Sequence, residues 1–290
     1  MKNSYTVFGQ GFVGNNIIQF LKKKKYKVFA PKKGKYKFNK NLYNIIYCIG
    51  SDNWIKDPSG AYEANLGIVP KIIFNNKFTS FTFISSTRVY LGHGKKKTNE
   101  KSPVQINPNI RNLYFNSLKL TAESLCLSLP NKKIKVVRIS NLFGDNFTNQ
   151  IYLLPTLIRN SIKNKKINIL INKKSSKDFI HIHEALEVLF KIIKKGKYRL
   201  YNIASGKNIE LFKISQKIKK ITNCKIDYKN QNKLIKEPII DIGRIKKEFN
   251  FKAKKDLINS LDQLIANLPY LITLIIFVPP IDKCSPTIVS

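Results

Sequence analysis

The chain has 290 residues, enough to bury a full hydrophobic core as one large α/β domain or as a nucleotide-binding lobe with a smaller appendage. Its formal net charge of +36 is typical of nucleic-acid-binding proteins, but only six of the 53 basic residues are Arg, and the lysines are spread over every segment. Clustered Arg with interleaved aromatics is the stronger sign of phosphate and base contacts, so we attribute the charge mainly to compositional drift and expect no nucleic-acid partner. A positive field should still attract anionic ligands.

The sequence does not indicate a disulfide framework, a metal site or a signal peptide. The four Cys are far apart and form no C-x-x-C pair, so the sequence predicts neither a disulfide framework nor a zinc site. His181 and His183 alternate along a predicted strand end without a third ligand, and we predict no metal there. No signal-peptide pattern precedes the first strand, which favours the cytoplasm.

A glycine turn follows the first predicted strand, residues 5–8. The next apolar residues have helical spacing, so the pattern is strand, glycine turn, helix. Glycine lets the backbone approach a pyrophosphate, while the start of a helix offers free N–H groups and a positive dipole end. We therefore predict a dinucleotide site at this turn, made by Gly9, Gly11, Phe12, Val13 and Gly14.

The second predicted strand, residues 26–30, bears on which dinucleotide this site would prefer. A fold that prefers NAD usually ends this strand in Asp or Glu, which accepts hydrogen bonds from the ribose hydroxyls. Here the strand is followed by Pro31, Lys32 and Lys33. The cations suit a 2′-phosphate, so the sequence favours NADP over NAD, although these lysines also fit a solvated turn.

The next strand, residues 43–50, begins early and leaves little room for a full strand and helix before it. A helix through residues 57–72 contains Asn65, and a strand over residues 81–84 runs into Ser85 and Ser86. This alternation predicts a Rossmann-type, doubly wound parallel sheet in an α/β fold, with its ligands at the carboxyl ends of the strands.

A helix beginning near Leu113 carries a phenol and an ammonium close together, a pair suited to proton transfer. The spacing does not fit a shared face. A helix turns about 100° per residue, so Tyr114 and Lys119, five residues apart, diverge by roughly 140°. The residue four before Lys119 is Phe115, which has no proton to give.

The second half predicts a smaller C-terminal α/β lobe for the substrate. Helices are expected over residues 151–162, 185–193, 210–221, 241–249 and 257–268, and strands over 167–171, 200–204 and 226–228. We predict a nucleotide-binding domain over residues 1–145 and a substrate lobe over 146–268, with parts of 178–204 returning to the main sheet. Residues 269–290 form an atypical apolar tail, and its apolar stretch, residues 269–280, is shorter than the ~20 residues that span a bilayer.

In order and spacing, these segments resemble the extended short-chain dehydrogenase/reductases, the NAD-dependent epimerase/dehydratase family that modifies nucleotide sugars. The likeness covers residues 4–267 and is carried by the glycine turn, Cys48-Ile49-Gly50, Asp57-Pro58 with Asn65, and residues 85–90, 119–123, 136–144, 177–183 and 201–206. The resemblance implies that Ser86, Lys119 and a tyrosine handle a proton while a nicotinamide carries the hydride. Lys119 matches the lysine that binds the nicotinamide ribose and lowers the pKa of the tyrosine.

The resemblance also implies ligand contacts elsewhere. Cofactor contacts fall on Cys48, Ile49, Gly50, Asn65 and Lys119, in addition to the glycine turn and Lys32 and Lys33. Substrate contacts fall on Arg88, Asn141, Lys177 and Arg244. Lys177 stands where the family commonly has Arg, which replaces a bidentate fork with a point charge.

The tyrosine departs from the family pattern and leaves three explanations open. The helix starts late or contains a π-bulge that returns Tyr114 to the side of Lys119; or the protein binds cofactor and sugar without turnover; or another acid serves. We therefore expect a cytoplasmic NAD(P)-dependent oxidoreductase, epimerase or dehydratase acting on a nucleotide sugar, for surface polysaccharide synthesis. A cofactor- or sugar-binding homologue without turnover is the alternative, and a homodimer is left open.

Overall fold

Strands and helices alternate along the chain, which the computed structural model describes over residues 3–92, 96–144 and 152–267. The strands are β1 (Ser4–Phe8), β2 (Lys27–Phe29), β3 (Asn44–Tyr47), β4 (Ser80–Ser86), β5 (Lys97–Thr98), β6 (Ile134–Ile139), β7 (Asn141–Phe143), β8 (Lys166–Ile169), β9 (Ser176–His181), β10 (Leu200–Ile203), β11 (Asn208–Glu210), β12 (Lys225–Tyr228) and β13 (Ile239–Ile240). The helices are α1 (Phe12–Lys23), α2 (Pro58–Tyr62), α3 (Ile68–Asn75), α4 (Tyr114–Ser128), α5 (Leu153–Lys163), α6 (Ile182–Lys195), α7 (Leu211–Thr222), α8 (Gly243–Phe249) and α9 (Leu257–Ala266). A π-helical turn, Glu63–Gly67, joins α2 to α3.

Six parallel strands form the central sheet in the order β10-β6-β4-β3-β1-β2. The chain moves from β1 outward to β2 and then returns to the other side of β1 with β3. The order of the strands therefore reverses between β1 and β3, and in open parallel sheets ligands bind beyond the carboxyl ends of the strands at such a point. The glycine turn and residues 48–50 follow these two strands.

Helices cover both faces of this sheet, because the inner strands carry buried apolar side chains on both sides. On one face α1, α6 and α8 pack against the sheet through residues such as Ile17, Leu189 and Ile245. On the other face α3 and α4 pack through Ile72 and Cys126. The sequence-based prediction of a doubly wound parallel sheet is confirmed.

A second group of elements lies beyond the sheet and has its own apolar core. It comprises the two-stranded parallel sheet β12-β8, the three-stranded sheet β11-β9-β7, and helices α5, α7 and α9. Leu157, Ile214 and Leu261 are buried together in this core. The predicted domain boundary at residues 145 and 146 and the predicted tail, residues 269–290, lie outside the described residues.

The sequence predicted that the sheet is abbreviated between its second and third strands, and the structure agrees. Between β2 and β3 the described chain forms no strand, and β2 pairs only with β1 at the edge of the sheet. The predicted helices of the second half are present with ends shifted by a few residues. None of the helices in the described ranges is both long enough and apolar enough to cross a membrane.

Candidate functional site

The glycine turn is packed so tightly that two of its glycines have no room for a side chain. Gly9 has φ of +100°, and a Cβ there would lie 2.7 Å from the backbone carbon of Cys48. A Cβ on Gly14 would lie 1.8 Å from the carbonyl oxygen of Gly9. Gly11 precedes α1 in extended conformation, and a Cβ on it would meet no atom within 4 Å. The turn thus fits against β3 while the side of Gly11 stays open in front of the helix N-terminus, where the first N–H groups lack helical acceptors.

Gly50 lies between the side chains of Asn65 and Lys119 at the carboxyl edge of the central sheet. A Cβ on Gly50 would lie 3.2 Å from Oδ1 of Asn65 and 3.5 Å from Nζ of Lys119. The Oδ1 atom is buried and has no hydrogen-bond partner among the described residues. An open space bordered by an unpartnered acceptor and an ammonium fits the ribose hydroxyls of a dinucleotide, which donate to the one and accept from the other.

A proline explains why Asn65 points inward. Pro70 has no N–H to offer the carbonyl of Leu66, and its ring crowds that carbonyl, so the helix widens into the π turn just before it. Asn65 is fully buried within this turn, and its Nδ2 donates to the carbonyl oxygens of Ser51 at 2.7 Å and Ala61 at 2.9 Å. The amide therefore fixes the segment that follows β3.

Lys119 is buried, 6 % exposed, and its ammonium donates to the carbonyl oxygen of Ile84 at 3.3 Å. The rings of Phe83 and Phe115 lie 4.9 and 5.9 Å from Nζ. Burial lowers the pKa of Lys119 to about 8, against the opposing charge of Glu123. The ammonium is thus held in a dry, mostly apolar setting and titrates near physiological pH.

A buried ion pair supports the strand end that carries Ser86. Nε and Nη2 of Arg138 donate to the carboxylate of Glu123, at 3.0 and 2.5 Å to Oε2, and Ser85 Oγ donates to its Oε1. Nη1 of Arg138 donates to the Tyr90 hydroxyl oxygen at 2.7 Å. Both charges are almost fully buried and satisfied, so removal of one would leave the other uncompensated.

Ser86 lies at the carboxyl end of β4, where its Oγ accepts the backbone N–H of Arg88 at 3.1 Å. The guanidinium of Arg88 stacks on Trp54, with Cζ 4.7 Å from the ring centroid. Nε of Arg88 and Nε1 of Trp54 are buried donors without a partner among the described residues. These two donors therefore offer hydrogen bonds to an acceptor beside Ser86.

The start of α4 does not bring Tyr114 to Lys119. The helix is regular from Tyr114 to Ser128, so neither the late start nor the π-bulge that the sequence left open is present. The Tyr114 hydroxyl instead donates to the carbonyl oxygen of Pro58 at 3.4 Å. Tyr114 lines a cavity together with Trp54 and Arg111. Phe115 lies on the side of Lys119 and packs against Trp54, with 5.5 Å between the centroids.

The predicted substrate residues separate into two groups. Lys177 pairs with Glu237 at 3.1 Å, and the charge of Glu237 raises the pKa of Arg88 against the effect of burial. Asn141 lies at the beginning of β7 and donates to the carbonyl oxygen of Asp178 at 2.9 Å. Arg244 forms the second group and lies near the opposite edge of the sheet.

Arg244 lies near the opposite edge of the sheet. Its Nη1 donates to the carbonyl oxygen of Leu200, the first residue of β10, at 2.6 Å, and its guanidinium stacks on Tyr198. Nε is also 3.5 Å from Glu100. The amino end of a parallel strand points away from the edge where Ser86 lies, so the structure gives Arg244 a structural setting and does not join it to the other predicted site residues.

Lys32 and Lys33, the predicted contacts for a 2′-phosphate, follow β2 and are exposed. Gln10 of the glycine turn donates to the carbonyl oxygen of Pro31 at 3.1 Å, which holds this loop next to the turn. No carboxylate follows β2 before β3, since residues 30–43 contain neither Asp nor Glu.

A family model supplies the deciding comparison. The model described as the NAD dependent epimerase/dehydratase family matches residues 42–204, more than half of the chain. The chain belongs to this family. The resemblance read from the sequence is thereby confirmed, and with it the class of NAD-dependent epimerase- or dehydratase-type enzymes; a nicotinamide dinucleotide is the cofactor of that class.

Solved structures of similar shape support the fold. The chain is similar to a UDP-glucose 4-epimerase with UDP-glucose from Thermotoga maritima, with 15% identity, a TM-score of 0.77, and coverage of 93% of this chain and 99% of that one. It is also similar to a dTDP-glucose 4,6-dehydratase with NAD from Bacillus anthracis, with 16% identity, a TM-score of 0.75, and coverage of 92% and 96%. RMD with NADPH from Pseudomonas aeruginosa has 17% identity, a TM-score of 0.71, and coverage of 90% and 99%. No curated protein matches the chain at a significant level.

Sequence reasoning missed several residues that shape this site. Trp54, Glu123 and Glu237 were not singled out, although Glu123 lies in the segment that carried the resemblance. A lone tryptophan just after a strand end and a Glu one helical turn beyond Lys119 were the available signals. Their partners, Arg88 and Arg138, are distant in sequence and are brought together only by the sheet.

Proposed function

We propose that the protein binds NADP or NAD along the carboxyl edge of the central sheet and exchanges a hydride with a sugar carbon of a nucleotide sugar. The observation that supports this most is the arrangement around Gly50. The tightly packed glycine turn, the unpartnered Oδ1 of Asn65 and the buried ammonium of Lys119 border one continuous edge of the sheet. When bound, the nicotinamide supplies the hydride acceptor or donor.

The proposed cofactor contacts follow from these positions. The N–H groups at the start of α1, from Phe12 to Gly14, face the pyrophosphate, and Gly9 and Gly11 allow its approach. The strand end from Cys48 to Gly50 borders the ribose. Asn65 accepts from a ribose hydroxyl while Lys119 donates to one.

NADP is the cofactor we favour within this class. No acidic residue follows β2 to accept the ribose hydroxyls, and the exposed cations Lys32 and Lys33 lie on a loop that Gln10 ties to the glycine turn. A 2′-phosphate placed there would gain charge attraction at little desolvation cost.

A nucleotide sugar fits the donors beside Ser86. The orphan N–H groups of Arg88 and Trp54 suit sugar or phosphate oxygens, and Lys177 and Asn141 approach from the second lobe. Two solved structures of similar shape are named as acting on UDP-glucose and dTDP-glucose, which makes these compounds the first probes. Ser86 would hold the sugar oxygen whose carbon exchanges the hydride.

Two measurements test this function on the full chain. Quenching of protein fluorescence by NADPH and by NADH gives the two affinities. The absorbance of the bound nicotinamide and the NMR spectrum of the sugar are then followed with UDP-glucose and with dTDP-glucose. We expect saturable cofactor binding and conversion of at least one nucleotide sugar.

Binding without turnover, the alternative raised by the sequence, predicts saturable cofactor binding with no change in absorbance or in the sugar spectrum. Absence of cofactor binding would contradict both. Polysaccharide synthesis, a cytoplasmic location and a homodimer stay predictions.

A further inference from the structure

A proton donor is needed where the phenol of the family's pattern is missing. The side of α4 that faces Lys119 carries Phe115, whose ring lies 5.9 Å from Nζ. Tyr114 is bonded to the Pro58 carbonyl on a different side of the helix. Exchange of a hydride at a carbinol carbon requires a second group that exchanges the hydroxyl proton, so another residue near this edge has to serve.

Most titratable groups near the edge are already engaged. Glu123 is bonded to Arg138 and Ser85, and Asp178 accepts from Ser140, Ser205, Gly206 and Lys207. The Tyr90 hydroxyl is bonded to Arg138 and Asn202. Burial raises the pKa of Cys48 to about 12, which leaves its thiol protonated at physiological pH.

Asp52 is not engaged in this way. It is half-buried, and among the described residues its side chain forms no salt bridge and no hydrogen bond with another residue. The groups that face it electrostatically are Arg88, from the turn after β4, and Tyr152, which precedes α5. Its carboxylate is therefore accessible to a ligand that contacts Arg88.

The flanking residues place Asp52 at the site. One residue before it, the carbonyl of Ser51 is held by Asn65 at 2.7 Å, and two before it Gly50 adjoins Lys119. Two residues after it, Trp54 packs on Phe115 and under Arg88. The segment thus passes along the side of the cleft where Phe115 occupies the position of the family's tyrosine.

From this arrangement we propose that Asp52 is the catalytic acid and base of this site, in place of the tyrosine. The proposal rests on the proposed function. In the oxidising direction the hydroxyl O–H bond of the sugar breaks and its proton passes to the Asp52 carboxylate. The carbinol C–H bond breaks with transfer of a hydride to the oxidised nicotinamide, and a carbonyl forms. In the reducing direction Asp52 returns the proton to the carbonyl oxygen while the hydride returns to carbon.

The electrostatic setting gives this role a pH signature. Burial raises the pKa of the Asp52 carboxyl above its usual value, although its own backbone N–H and Arg88 oppose the rise. A carboxylate of higher pKa is a stronger base. Oxidation needs the ionised form, so its rate should fall as the pH is lowered through this pKa. A tyrosine would place that fall at higher pH, since its ordinary pKa is about 10.

The test compares three full-length variants with the wild type, using UDP-glucose and dTDP-glucose with NADP and NAD. Asp52→Asn should lower kcat by about 100-fold or more, remove the acid limb of the pH profile and leave NADPH affinity unchanged. Asp262→Asn removes an exposed acid that pairs with Lys217, and it should match the wild type. Tyr114→Phe should also retain kcat, because its hydroxyl faces Pro58.

Three results would overturn the proposal. A wild type that turns over a nucleotide sugar together with an equally active Asp52→Asn contradicts this assignment alone, as does loss of kcat in Tyr114→Phe only. A wild type that binds the cofactor but converts neither nucleotide sugar contradicts the proposed function and this assignment together. Circular dichroism and the retained NADPH affinity show whether Asp52→Asn is folded.

Discussion

The glycine turn and the start of α4 lie at the same edge of the sheet, yet they differ in how closely they follow the family's pattern. At the turn, a Cβ on Gly14 would stand 1.8 Å from Gly9, so the packing leaves one solution. At the start of α4, the aromatic residue on the lysine's side is Phe115 and the tyrosine lies one residue earlier. Under the proposed function, cofactor binding and proton transfer are therefore separable in this fold: the first would depend on backbone packing, and the second on a few side chains.

The largest expected effect concerns the tightly packed glycine turn. Gly14→Ala places a methyl group against the Gly9 carbonyl, and backbone atoms cannot move aside as a flexible side chain can. We expect NADPH binding to be lost and the free energy of unfolding to fall by about 1 to 3 kcal/mol, the usual cost of overpacking. Fluorescence titration and urea denaturation measure the two effects.

Gly11→Ala is the matched control for that substitution. The added methyl group meets no protein atom within 4 Å, so the stability should stay near that of the wild type. Weaker NADPH binding in Gly11→Ala, with unchanged stability, would indicate that the open side of Gly11 faces the cofactor. Equal stability of Gly14→Ala and the wild type would contradict the packing described at this turn.

The next largest effect concerns the start of α4. Phe115→Tyr introduces a phenol four residues before Lys119, on the same side of the helix. In an Asp52→Asn background we expect it to restore kcat by about 10-fold or more, because a placed general acid contributes factors of this size. The measurement is kcat with the better of the two nucleotide sugars. No recovery in the folded double variant would contradict the placement of Phe115 on the lysine's side.

Lys119 lies on α4 and is also a proposed cofactor contact, so it should make NADPH binding depend on pH. Burial lowers its pKa to about 8, so the ammonium is present below that pH and is lost as the pH rises through it. If the charged form donates to the ribose, NADPH affinity should decrease above pH 8 in the wild type. Lys119→Met should bind about 10-fold more weakly and lose this pH dependence, given the strength of hydrogen bonds from charged groups.

The same pKa has a stability consequence of opposite slope. Between the folded pKa of about 8 and the higher unfolded pKa, the unfolded chain binds more protons, so this lysine makes the folded state more stable as the pH rises. Lys166→Met, which removes an exposed cation, is the control for both measurements. A pH-independent affinity in the wild type would show that Lys119 does not contact the cofactor in its charged form.

The smallest effect concerns the choice between the two nicotinamide cofactors. Replacement of Lys32 and Lys33 by Ala should weaken NADPH binding about two- to fivefold relative to NADH, the range expected for exposed charge pairs. Replacement of Lys22 and Lys23, which end α1 at the far side of the sheet, should leave the ratio unchanged. Equal losses for both cofactors would contradict a 2′-phosphate contact.

Features that depend on local sequence were predicted well. The glycine turn, the early strand β3 and the alternation of strands and helices each follow from short patterns, because glycine geometry and apolar periodicity act over a few residues. The same reasoning missed the short strands β5, β7, β11 and β13, two or three residues each, whose pairing partners are distant in sequence. A strand of two residues leaves no period to read.

The polar contacts of the site were predicted less completely, for a related reason. Arg88 was chosen as a substrate residue, but its stacking on Trp54 depends on how two loops meet. Arg244 was chosen by its motif, yet Leu200 and Tyr198 hold it near the beginning of β10. The register of Tyr114 could be read from a count of residues; the position of Asp52 could not, because it is set by the Asn65 amide across the edge of the sheet.

The π turn before Pro70 has a consequence for changes in chain length. Because this turn contains one more residue than a regular helix accommodates, loss of a single residue between Glu63 and Gly67 would convert it to regular helix, and the apolar side of α3 would stay on the sheet. The widened turn would no longer carry the side chain of Asn65, so its hydrogen bond to Ser51 would be lost. Such a deletion would therefore change the segment that follows β3 and leave the core beneath it in place.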